Sequence, residues 1–96
     1  MHSPKVVLVS TKGYLPSRDD ALLQELIKSK IELFCAVGIG AEQWEDALDW
    51  LCIGRYGDGK HLITTTAHTD ETVEEVIAFA ELFKVSTPGQ IEILYA

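Results

Sequence analysis

The chain has 96 residues, of which 47% are hydrophobic and 24% charged, a balance that is typical of a globular protein and excludes a disordered or fibrous one. Fifteen acidic against eight basic residues give a formal net charge of −7 at pH 7, so we expect no binding to nucleic acid or to a membrane surface. No disulfide framework, signal peptide or membrane span is indicated, which predicts a cytoplasmic protein.

The first two predicted elements are a buried strand and an amphipathic helix. Lys5–Ser10 is a β-branched run without alternation, which indicates a strand covered on both faces and therefore a central one. The helix begins after Leu15-Pro16, where Ser17 is the predicted N-cap and two aspartates suit the positive end of the helix dipole. It ends at Lys28–Lys30, and its apolar stripe faces the sheet.

A glycine turn joins the second strand to the second helix. Ile31–Val37 is the predicted strand and about Ala41–Ile53 the helix, whose apolar positions at helical spacing face the sheet. Such a turn could cradle an anion, but Gln43 replaces the third glycine of a dinucleotide-binding fingerprint, and two glutamates in the first turn would repel a phosphate. The better interpretation of Gly38-Ile39-Gly40 is a tight turn that needs glycine dihedral angles.

The remaining elements are a strand, a helix and a strand. Residues 54–60, GRYGDGK, match the start of a P-loop, but a helix precedes them and a strand follows, so we interpret them as a connector. His61–Thr66 is the predicted third strand, and Thr69 or Asp70 the cap of the third helix. Ile91–Tyr95 is the last strand, in which a central charged residue suits the edge of a sheet.

Strands and helices therefore alternate along the whole chain, and every crossover is long enough to contain its helix. This alternation predicts a parallel sheet with right-handed crossovers. We expect a single α/β domain over residues 1–96, with three layers, a four-stranded mostly parallel sheet and three helices. We favour the strand order 2-1-3-4, a flavodoxin-like or Rossmann-like winding that centres the most apolar strand.

Polar residues follow the first three strands at the carboxyl edge of this sheet, where open parallel sheets bind ligands. The candidate ligand-binding residues are Thr11, Lys12, Gly38, Gly40, Thr66 and His68. His68 and Asp70 are the candidates for catalysis, because an imidazole near a carboxylate can act as a general acid or base. The favoured alternative is structural: Asp70 caps the helix, and His68 is merely solvated.

Acidic residues are concentrated on the second helix, in the segment WEDALDW at residues 44–50. Glu45 and Asp49 are one turn apart on one face, where they repel each other unless they are solvated or paired. A basic partner could use this surface, although a plain solvent face is a more frequent reason for such a charge run. The candidate partner-binding residues are Trp44, Glu45, Asp46, Asp49 and Trp50.

Two segments together resemble a family of small bacterial α/β proteins of unknown function. They are WEDALDW at 44–50 and TTTAHTDETVEEV at 64–76, in which threonines, His68 and the acidic residues have the spacing of that family. The resemblance does not indicate which activity the protein has or which residues would be catalytic. The chain departs from the pattern at Glu42-Gln43 and at Ala67, where a tryptophan is usual, and this makes a ligand stacked beside His68 less expected.

No complete catalytic set is present, so the sequence leaves open whether the protein is an enzyme and favours a non-enzymatic binding or regulatory module that recognises a basic protein partner. One alternative is a small-ligand or metal-binding protein, with hydrolase or transferase chemistry, at the carboxyl edge around His68. Another is a homodimer formed along the edge of the last strand or through Trp50. We predict no cofactor and no dedicated metal site.

Overall fold

A computed structural model describes residues 2–53, 63–86 and 89–96. Its elements are β1 (Lys5–Ser10), α1 (Pro16–Lys28), β2 (Leu33–Gly38), α2 (Ala41–Ile53), β3 (Thr64–His68), α3 (Val73–Leu82) and β4 (Ile91–Tyr95). The alternation of strands and helices confirms the predicted α/β class. The P-loop-like string at 54–60 and the predicted start of the third strand at His61 lie outside the described residues. None of the described helices is long and apolar enough to cross a membrane.

The four strands form one parallel sheet in the order β3-β2-β1-β4. β1 is internal and β4 lies at an edge, as predicted, but the favoured order 2-1-3-4 is corrected, because β3 pairs with β2 and not with β1. The physical reason lies in the composition of β3, which carries three threonines and is exposed or half-buried over most of its length. Such a strand suits an edge, whereas the favoured order would have placed it between two others.

Helices cover both faces of the sheet and create two separate cores. On one face α1 and α2 pack over alternate residues of β1 and β2, in a cluster that includes Val6, Leu8, Phe34 and Trp44. On the other face α3 packs over the intervening residues, among them Val7 and Cys35. Two helices on one side of the sheet and one on the other give the expected three layers. On its own face, α3 covers β4 only in part.

The helix starts differ from the predicted ones. α1 begins at Pro16 with Leu15 as N-cap and without a side-chain cap bond, so the prediction of Ser17 as N-cap is wrong; proline at the first position already presets the helical φ. The cap of α3 is Thr72, which forms a capping box with Glu75, and not Thr69 or Asp70. The reason is that β3 continues to His68, beyond its predicted end, so the helix starts later.

Candidate functional site

The carboxyl ends of β1, β2 and β3 meet at one edge of the sheet, as the sequence predicts. In register, Ser10 lies beside Gly38, and Val37 lies beside His68. Because β2 separates β3 from β1, the strand that ends in His68 is about 10 Å from the strand that precedes Thr11. The predicted residues therefore share an edge, but His68 and Thr11 are not on neighbouring strands as the favoured order required.

The turn after β2 is packed against the loop after β1. Gly38 has φ +103°, and a Cβ there would lie 2.5 Å from the carbonyl oxygen of Ser10, which accepts a hydrogen bond from the amide of Ile39. Gly40 has φ +70°, and a Cβ there would lie 3.0 Å from the Cα of Gly13. Both glycines are needed for close backbone approach, which supports the tight-turn interpretation; ligand binding at Gly38 and Gly40 stays a prediction.

The buried hydroxyl of Ser10 joins the loop after β1 to α2, and sequence reasoning did not predict this role. The Ser10 hydroxyl accepts hydrogen bonds from Trp44 Nε1 (3.0 Å) and from the Gly13 amide (3.1 Å). The ring of Tyr14 packs edge-on against Trp44, with the centroids 5.2 Å apart. Trp44 is 0% exposed, so its assignment to the partner surface is corrected; its place in the sheet-facing stripe of α2 was the signal for burial.

Thr11 and Lys12 follow β1 at the surface of the rim. The Thr11 hydroxyl donates to the carbonyl oxygen of Ala96 (2.8 Å), and the Thr11 amide donates to the same oxygen (2.6 Å). These two bonds extend the pairing of β1 with β4 beyond the end of the strand. Lys12 is exposed and directly precedes Gly13, which packs against Gly40.

His68 is buried, in contrast to the solvated side chain that we expected. It is 8% exposed, its Nδ1 lies 2.6 Å from a carboxylate oxygen of Glu71, and its Nε2 lies 2.8 Å from the Thr66 hydroxyl. Its ring also contacts Phe79, with the centroids 5.3 Å apart. The carboxylate partner is therefore Glu71, whereas Asp70, the second catalytic candidate, is exposed.

This arrangement joins a hydroxyl, an imidazole and a carboxylate in one chain of hydrogen bonds. The carboxylate orients the ring, and the second ring nitrogen is in position to exchange a proton with the hydroxyl of Thr66. Within residues 2–53, 63–86 and 89–96 no group of three or more His, Cys, Asp or Glu side chains could hold a metal ion. An imidazole held between Glu71 and the Thr66 hydroxyl can act as a general acid or base.

The outer side of α2 carries four carboxylates, which we call the acidic face: Glu42, Glu45, Asp46 and Asp49. Glu42 and Asp46 are exposed, and Glu45 and Asp49 lie half-buried on the flank toward β3, where Asp49 accepts a hydrogen bond from the Thr65 hydroxyl (2.8 Å). Partial burial, together with repulsion from the other three carboxylates, raises the pKa of Glu45. Trp50 lies at the end of this face and is 77% exposed.

The comparisons with known proteins assign a family without an activity. A search of curated proteins and a search of solved structures each gave no match. The model of one family, described as Domain of unknown function (DUF7684), matches residues 2–92, which is nearly the whole chain. This match confirms the predicted membership of a family of unknown function, and we conclude that the chain belongs to the DUF7684 family.

Proposed function

We propose that this protein is a non-enzymatic binding module that uses the acidic face of α2 and the adjacent Trp50 to recognise a basic protein partner. The observation that carries the proposal is a concentration of four carboxylates beside a tryptophan that is 77% exposed. Like charges and an exposed indole are both unfavourable in water, and one complementary partner would relieve both.

The carboxylates of the acidic face support the proposal of a basic partner. The ion pairs of the described residues involve Glu25, Glu92, Asp19 and Glu71, none of which belongs to the acidic face. Burial and the neighbouring carboxylates together raise the pKa of Glu45, which means that the acidic face is electrostatically unfavourable in the free protein. A lysine- or arginine-rich surface would stabilise these carboxylates and would speed association at low salt.

Trp50 supports a specific contact in addition to an electrostatic one. It lies one turn after Asp46 on α2, so both side chains can enter the same interface. Tryptophan is enriched among the residues that dominate binding energy, particularly where polar residues surround it. An exposed tryptophan next to Asp46 therefore offers an apolar anchor beside a charged surface.

Quantitative affinity capture from cells, followed by titration of the purified partner, tests this proposal. We expect Trp50→Ala to weaken binding by roughly 30-fold, in line with the loss of a central interface residue. The double variant Glu42→Lys with Asp46→Lys should remove the partner and its salt dependence. These two residues are exposed, so the fold should tolerate the change.

The matched control is Glu74→Lys, because Glu74 is also an exposed helical acid but lies on α3. Its charge match is the single variant Asp46→Lys, because each reversal changes the net charge equally. Glu74→Lys should leave binding within about threefold, since surface charges far from an interface contribute little, whereas Asp46→Lys should weaken it. If the reversals at Glu42 and Asp46 left every captured protein and its amount unchanged, the proposal would be wrong.

A second candidate function rests on the hydrogen-bonded chain Thr66–His68–Glu71. A hydroxyl within 2.8 Å of an imidazole that a carboxylate orients at 2.6 Å has the geometry of an activated nucleophile. This candidate is a hydrolase or transferase that transfers an acyl group through the Thr66 hydroxyl. Its site would lie at the carboxyl end of β3, on the α3 face.

Turnover of an activated acyl ester such as p-nitrophenyl acetate tests this candidate. An active site predicts hydrolysis above background and a loss of roughly 100-fold in both His68→Gln and Thr66→Val, because the first removes the proton acceptor and the second the nucleophile. Asp70→Asn is the control and should retain the rate, since Asp70 is exposed. Equal rates in the wild type and in correctly folded His68→Gln would exclude the candidate.

A further inference from the structure

Within the described residues, no strand pairs with the outer edge of β4. The Ala96 amide donates to Val9 and the Ala96 carbonyl accepts from Thr11, so the backbone of Ala96 points toward β1. In a parallel ladder alternate residues direct their amides and carbonyls to the same neighbour. Glu92 and Leu94 therefore also face β1, and the backbone groups of the other three β4 residues, Ile91, Ile93 and Tyr95, point outward.

Two of the three residues with outward backbone groups, Ile93 and Tyr95, also carry exposed apolar side chains. Ile93 is 37% exposed and lines a groove of about 470 Å³ between α3 and β4 with Ile77. Ile91 is half-buried and packs against the core on the α3 face. Tyr95 is 75% exposed. Soluble proteins usually protect such an edge with lysine, proline or a bulge, and β4, IEILY, contains neither of these residues.

The charged residue of β4 does not protect this edge either. The Glu92 carboxylate accepts a hydrogen bond from the Ser3 amide (2.8 Å) and lies 2.9 Å from Nδ1 of His2. Burial opposes its ionisation, but these two partners hold the pKa of Glu92 below its usual value. The Glu92 carboxylate is thus held by His2 and Ser3. It therefore does not prevent another strand from pairing with the outer edge of β4.

We propose that β4 pairs antiparallel with β4 of a second copy of this chain, around a two-fold axis at Ile93. In this register Ile93 lies opposite Ile93 of the partner subunit, and Ile91 lies opposite Tyr95 of the partner subunit. All three outward-facing residues then exchange backbone hydrogen bonds, because residues directly opposite in an antiparallel pair alternate between bonded and non-bonded positions. The two sheets join into one of eight strands, and the same surface serves both subunits.

Charge favours this register over its neighbours. With the axis at Ile93, Glu92 lies opposite Leu94 of the partner subunit, whereas an axis at Glu92 would place two carboxylates opposite each other. In this dimer, β4 of the second copy extends the floor of the groove between α3 and β4 on its open side. The acidic face lies far from the axis, because α2 packs on β2 and β3, so the net charge of −7 is not concentrated at the interface.

Sedimentation velocity over a range of protein concentrations tests the proposal, with far-UV circular dichroism as the check on folding. We expect the wild type to dimerise. Ile93→Lys and Ile93→Glu should each weaken the dimer by about 100-fold, because each puts two like charges at the axis. An equimolar mixture of the two variants should dimerise again, since lysine then meets glutamate across the axis.

Leu82→Lys is the control, because Leu82 is an equally apolar exposed residue that belongs to α3 and not to β4; it should dimerise like the wild type. Three results would each overturn the proposal: a wild type that is monomeric at every concentration, which would leave the edge to a strand of another protein; an undiminished dimer in folded Ile93→Lys; or a mixture that stays monomeric. The measurement needs no partner protein and is independent of the proposed function.

Discussion

Gly38→Ala is expected to lower the free energy of unfolding by about 3 kcal/mol, because it combines a backbone conformation that L-residues avoid with a direct clash. Gly38 has φ +103°, and a Cβ would lie 2.5 Å from the carbonyl oxygen of Ser10. That oxygen belongs to the adjacent central strand and already accepts the amide of Ile39 at 3.1 Å. Relief of the clash therefore requires separation of β1 from the end of β2. Urea unfolding followed by circular dichroism measures the loss.

Gly13→Ala is the matched control for this variant. Gly13 also has positive φ, at +81°, but the nearest atom to an added Cβ is Cγ2 of Ile39 at 3.8 Å, an ordinary contact. Only the conformational penalty remains, and we expect a loss of about 1 kcal/mol. Equal losses in the two variants would contradict the close approach of Gly38 to Ser10.

Trp44→Ala should have the largest effect of any single substitution in α2, a loss of about 4 kcal/mol in the free energy of unfolding. The side chain is fully buried between α2 and the sheet, so its removal leaves a cavity. It also removes the indole that donates to the Ser10 hydroxyl at 3.0 Å and the ring against which Tyr14 packs. For a domain of this size such a loss is a large fraction of the total stability.

Trp50→Ala provides the comparison within the same helix. Trp50 is largely exposed, and its removal should change the free energy of unfolding by no more than about 0.5 kcal/mol. Thermal and urea unfolding of both variants, monitored by far-UV circular dichroism, measure the difference. A Trp50 variant as unstable as the Trp44 variant would show that Trp50 serves the fold and would remove the main support for a partner-binding role.

Local patterns account for the elements that were predicted with correct bounds. Lys5–Ser10, Ala41–Ile53 and Ile91–Tyr95 occur as predicted, because a β-branched run or an apolar stripe at helical spacing depends only on residues close in sequence. The capping box of Thr72 with Glu75 was also visible as a Thr-x-x-Glu pattern. The predicted third strand ends at Thr66, two residues before the actual end of β3, and the predicted helix therefore starts too early, at Thr69 or Asp70.

By itself, the sequence determined that strands and helices alternate, that the sheet is parallel, that β1 is internal and that residues after β1, β2 and β3 share one edge. These properties follow from periodicity and from the length of the crossovers. Only the tertiary structure decided that β3 pairs with β2, that Trp44 rather than a ligand fills the space beside Ser10, and that His68 is buried against Glu71 and Phe79. Each of these depends on which distant segments pack together, and that choice is made by competition among non-local contacts that no local pattern records.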